Sequence, residues 1–142
     1  MTAQHRGFAA AARGHGADPA VWVPKDGDDY EAAADDVIAA FGAEGVLEKV
    51  FDLPEMSVGG ARAVSFHLVD YVVHTWDAAV ALGVRAEPPA EAVALGLHVA
   101  RAVPDDDRVR GPGKAFARAR EVPPGASQLD EIVLLLGREI AS

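Results

Sequence analysis

ARAVSFHLVDYVVHTWDAAVAL, residues 61–82, is the longest helical stretch the sequence contains, and its reading sets the class of the chain. Between Arg62 and Arg85 it carries no Lys, Arg, Glu, Gln or Asn. An ordinary surface helix fills its wet face with long charged side chains, which favour helix and stay solvated. Here the polar groups are short: His67, Asp70, His74 and Asp77, with Ser65, Tyr71 and Thr75. Turning about 100° per residue from His67 places His74 about 20°, Asp70 about 60° and Asp77 about 80° to one side. Val69, Val72, Val73, Trp76 and Val80 occupy the opposite side, with Phe66 at the margin. Asp and His at i, i+4 can direct two ligands at one cation, as the histidines of H-E-x-x-H helices do. The same spacing also makes a plain salt bridge on a wet face. Spacing leaves both readings open, and the absence of long charges tilts the balance towards a stripe that lines a cavity.

Composition bounds the rest. With 142 residues, half of them hydrophobic and a quarter charged, the chain is expected to form one domain over residues 1–142 with a substantial core. A net charge of −9 argues against nucleic acid or an anionic membrane as the main partner. No apolar run approaches the roughly 20 residues needed to span a bilayer. The opening MTAQHRGFAAAARGHG has neither the apolar core nor the cleavage region of a signal peptide. The absence of cysteine excludes disulfides, thiolate ligands and a Cys nucleophile, and fits a cytoplasmic location. Any metal must be held by His, carboxylate, water or backbone oxygen.

Outward from the long stretch, the pattern predicts further helices. Residues 2–13 read as an Ala-rich helix stopped by Gly14, followed by a loop over 16–27 anchored by Trp22. Residues 28–41 read as a helix capped by Asp28, with Tyr30, Ala34, Val37, Ile38 and Phe41 as its apolar face. Residues 47–53, LEKVFDL, alternate as a short strand does and stop at Pro54. Gly59 and Gly60 open the long helix and Gly83 ends it. Pro88 and Pro89 start a fourth helix carrying Val93, Leu97 and Val99 to about Val103. Residues 114–121, KAFARARE, alternate strictly and are expected to pair with 47–53 as an antiparallel ribbon. Ser127, with Asp130 three residues on, caps a last helix through Leu129, Ile132, Val133, Leu135 and Leu136. The expected class is mainly α, a helical bundle with a small two-stranded β element.

HLVDYVVHTWDAAVALG at 67–83, followed by LDEIVLLLGRE at 129–139, resembles the DinB-like metal-binding helical bundles. The branch is the one related to the N-terminal domain of mycothiol-dependent maleylpyruvate isomerase. The similarity runs from QHRGFAAAARG through the final helix, and the D-x3-H-x-W-D segment is its specific part. The resemblance implies a four-helix bundle and a divalent metal, often zinc or nickel, held by a His, an acidic residue or His, and a further His. It implies chemistry with low-molecular-weight thiols, as an isomerase or S-transferase. By position, Asp70 and His74 match the acid-x3-His pair of the family. The family's other His and its first helix have no counterpart, so the bundle is expected to lack that helix and to be truncated at its start. Apolar faces left uncovered in this way imply a homodimer or larger assembly.

The candidate metal ligands are therefore Asp70, His74 and His67. His5 is an alternative to His67, although it and His15 are expected to be exposed. Asp77 and Tyr71 border the stripe and can orient a ligand or do no more than cap polar surface. His98 is expected to be partly buried, and Trp76 to be core. Six of the thirteen basic residues, Arg101, Arg108, Arg110, Lys114, Arg118 and Arg120, cluster near one another. Read as a strand, Lys114, Phe116, Arg118 and Arg120 share one face, and Ala115, Ala117 and Ala119 the other. Arg118 and Arg120 are the candidates for binding the carboxylates of a thiol cofactor or acidic substrate; the alternative is a charged edge that resists aggregation. No carboxylate pair, Ser-His-Asp arrangement or phosphate loop supports a catalytic assignment. The competing reading is a non-enzymatic bundle that binds a small ligand or a protein partner.

Overall fold

A computed structural model describes residues 1–114 and 116–140. The chain is mainly α with a small two-stranded antiparallel sheet, the class the sequence indicates. It divides into two compact units, Met1–His67 and Leu68–Ser142. Among the described residues no helix is long and apolar enough to cross a membrane.

In the first unit, α1 (Thr2–Ala12) packs against α2 (Tyr30–Phe41). Small side chains at Ala9, Ala11 and Ala12 bury on α1 beside Phe8, and Val37 and Ala40 meet them from α2. Ile38, placed on the apolar face by the sequence, is 68% exposed; the buried line is Ala33, Val37 and Ala40. The cap of α2 falls one residue later than expected. Asp29 accepts from Ala32 N at 3.1 Å, while Asp28 turns back to accept from Lys25 N and pairs with Arg6. Trp22 anchors the intervening loop. Its indole Nε1 donates to the Gly16 carbonyl at 2.8 Å and its ring meets Phe8 edge-on at 5.1 Å. A Cβ at Gly7 would overlap that indole, so only glycine lets the ring lie on α1.

The sheet is a local hairpin. β1 (Val50–Asp52) pairs with β2 (Ser57–Gly59) in the register Phe51↔Val58, and Leu53 N donates to Met56 O at 2.8 Å across the turn. The expected pairing of 47–53 with 114–121 is therefore overturned. Alternation marks a half-buried strand but not its partner, and the return strand, SVG, is too short to show a period. Of the second segment, Phe116 forms only an isolated bridge with Arg110, residues 117–121 form no strand, and Ala115 lies outside the described residues. Gly60 opens α3 (Gly60–Leu82) where its N–H reaches Lys49 O at 2.7 Å; a Cβ there would overlap the Val46 carbonyl.

The second unit holds residues 68–82 of α3, α4 (Ala90–Arg101) and α5 (Gln128–Leu135). Val69, Val72 and Val73 of α3 pack with Leu97 and Ala100 of α4 and with Ile132 and Leu136 at α5. Ser127 caps α5 as expected, accepting from Asp130 N at 3.1 Å and donating from its hydroxyl to the Asp130 carboxylate at 2.7 Å. Between α4 and α5 the chain folds around Arg110, which is only 3% exposed. Its guanidinium donates to the carbonyls of Pro104 at 2.9 Å, Ala117 at 3.1 Å and Leu135 at 2.7 Å, and pairs with Asp105 at 3.1 Å. A charge so buried is tolerated because its donors are satisfied and a carboxylate balances it.

Candidate functional site

Asp70, His74 and Asp77 follow one another along α3 at helical spacing, so their side chains lie in adjacent turns. The Nδ1 of His74 lies 3.0 Å from Asp77 Oδ2, and its Nε2 lies 3.6 Å from Asp70 Oδ1. Arg138, just past the end of α5, closes the far side: its Nη2 donates to Asp77 Oδ2 at 3.0 Å and its Nε to Oδ1 at 3.3 Å. The four side chains are half-buried.

The electrostatics separate the two carboxylates. Burial pushes the Asp70 carboxyl above its usual range, opposed by the charges of His74 and Arg138. Burial acts the same way on Asp77, but there the hydrogen bond and charge of Arg138, with help from His74, win and hold it below that range. Asp77 is therefore ionised and only accepts, which makes Nδ1–H of His74 the donor. With Nδ1 engaged by Asp77, Nε2 is the ring nitrogen turned towards Asp70. A carboxylate behind a histidine whose other nitrogen is free is the arrangement that orients histidine ligands in metal sites. Two ligand atoms on one tetrahedral zinc stand about 3.4 Å apart, close to the separation found here. The chemistry of the donor set thus fits two ligands of a divalent ion.

His67, the expected third ligand, belongs to the first unit, and its Nε2 lies 2.9 Å from Nδ1 of His5. Phe8 and Phe41 meet the His67 ring edge-on, with centroids 5.1 and 5.2 Å away. His5 itself is 2% exposed, which overturns the expectation that it faces water. Desolvation, and then the neighbouring His5, lower the His67 pKa to about 4; burial, with the nearby amino terminus, lowers that of His5 as well. Among the described residues no group of three or more His, Asp or Glu is placed to hold a metal ion. His98 and His15 are exposed, the former against expectation, and Trp76 is partly buried.

Arg118 and Arg120 are exposed and already paired, Arg118 with Asp107 and Arg120 with Glu139 at 2.6 Å. Together with Lys114, Gly111 and Pro112 they line an open cleft of about 580 Å3. No family model, curated protein or solved structure matches the chain. One residue that matters here, Arg138, escaped the sequence reading, and a second, His5, was named as an alternative ligand but expected at the surface. Arg138 follows Gly137, beyond the last periodic position of α5, where no helical pattern extends. His5 sits in an Ala-rich helix whose small residues do not mark a face.

Proposed function

We propose that this chain is a divalent-metal-binding helical protein of the DinB-like type, with Asp70 and His74 as its two protein ligands and Asp77 holding the imidazole. The observation that carries this reading is the position of His74 between two carboxylates, one bonded to Nδ1 and the other 3.6 Å from Nε2. Two protein ligands leave most of the coordination shell to water or to a small molecule, so binding is expected to be weak. An ion with open positions lowers the pKa of a bound thiol and supplies thiolate at neutral pH, the chemistry of the thiol-dependent isomerases and S-transferases that the sequence resembles. In this arrangement Asp77 and Arg138 keep one proton fixed on Nδ1, which leaves Nε2 available as a donor atom.

Calorimetric titration of the purified protein with Zn2+ and Ni2+ tests the reading. One ion per chain is expected, with affinity falling by at least about tenfold in both Asp70→Ala and His74→Ala. Equal binding by wild type and both variants refutes it. The four side chains are then a polar network between α3 and the end of α5, and the non-enzymatic reading stands.

A further inference from the structure

A second concave surface lies in the Leu68–Ser142 unit and shares no residue with the Asp70–His74 pair. It is an open cleft of about 610 Å3 between the end of α3, the turn that follows and the start of α5. That volume is in the range of small-molecule sites. Its walls are apolar where water would otherwise reach them: Trp76 is partly buried, Val80 is 56% exposed, and Val93 and Leu129 complete the surface.

The charges at its rim are specific. Among the described residues every arginine is matched to a carboxylate except Arg62, which lies over the Phe66 ring, and Arg85. In a chain of net charge −9 this is no shortage of carboxylates; Arg85 stands uncommitted at the cleft while the other arginines are used. Facing the same space are Glu87 and Asp130, the latter held by the Ser127 hydroxyl. One cation against two carboxylates makes the lining a poor receptor for a plain anion. A ligand that brings both signs on an apolar body matches all of it.

We propose that this cleft binds an apolar α-amino acid or a molecule with the same zwitterionic head. The apolar body lies against Trp76 and Val80, the carboxylate meets Arg85, and the ammonium group meets Glu87 and Asp130. The aromatic wall and the bidentate geometry of a guanidinium suit those roles.

The chain has two tryptophans, so a Trp22→Phe variant leaves Trp76 as the sole fluorescent reporter. Titration with L-phenylalanine is compared with 3-phenylpropionate, which lacks the amine, and phenethylamine, which lacks the carboxylate. The expected result is a saturable change in Trp76 emission, with L-phenylalanine about three- to fivefold tighter than either probe, the scale of exposed ion pairs. Arg85→Gln should remove its advantage over phenethylamine and preserve its advantage over 3-phenylpropionate. Three equal probes, no saturable change, or an unchanged preference in Arg85→Gln would overturn the assignment. If Trp22→Phe does not fold, the Trp76 indole N–H resonance of the unaltered chain gives the same readout.

Discussion

Acidification should destabilise the first unit through His67. In the folded chain its pKa is lowered to about 4, from 6.5 in an open chain. Unfolded molecules therefore take up a proton near pH 6.5, and native ones only near pH 4. Stability from this group is complete above the open-chain value, declines as pH falls, and reaches its floor near the folded value. A separation of about 2.5 units at 1.36 kcal/mol each gives a total loss of about 3 kcal/mol. About 2 kcal/mol of that is lost between about pH 7.5 and pH 5. His5, lowered for the same physical reason and bonded to His67, acts in the same direction. Urea unfolding followed by Trp22 emission in a Trp76→Phe background measures this unit, because Trp22 packs on Phe8, whose ring also touches His67. His67→Gln removes the titrating ring and keeps a group able to bond His5. The difference between the two proteins should change by about 2 kcal/mol between the two pH values. A difference that stays constant to within about 0.5 kcal/mol refutes the assignment of a neutral, desolvated His67.

Three further outcomes follow from packing and hydrogen bonding. Gly7→Ala drives a methyl into the Trp22 indole, so it should cost about 2 kcal/mol and shift Trp22 emission to the red, both absent if the ring does not rest on α1. Arg110→Met strands the carbonyls of Pro104, Ala117 and Leu135 and should cost about 3 kcal/mol in urea unfolding read at Trp76. Arg110→Lys should recover only part of this loss, since one ammonium cannot copy the planar fork; full recovery would show that charge alone matters there. Asp77→Asn should leave the helix content intact and weaken Zn2+ binding by about tenfold in calorimetry, and an unchanged affinity would remove Asp77 from the site.

What the sequence could disclose follows from which signals are local. Caps are local: Ser127 and Asp130 sit where their chemistry requires, and the helix beginning after Asp29 was misplaced by a single residue. The long stretch with Asp70, His74 and Asp77 on one stripe was legible because helical period fixes relative angle. Pairing is not local. Nothing in LEKVFDL says that its partner is three residues of SVG rather than the more regular KAFARARE. Burial on an Ala-rich helix is equally silent, since Phe8 and His5 alone cannot orient it, and so the contact of His5 with His67 had no signature. Arg138 reaches Asp77 across 61 positions, a contact no pattern in one sequence announces.

The environment of Arg110 changes how the stretch between α4 and α5 should be regarded. The described residues between 102 and 127 contain no helix, and such a stretch ordinarily tolerates added or deleted residues. Here one side chain ties Pro104, Ala117 and Leu135 to a single point, so these positions act as an internal brace whose reach is fixed by its knot. Room for a reporter tag or an inserted peptide should be sought downstream, at the exposed Pro124–Gly125 turn, and a protease cut inside the brace would loosen the carboxy-terminal helix along with it.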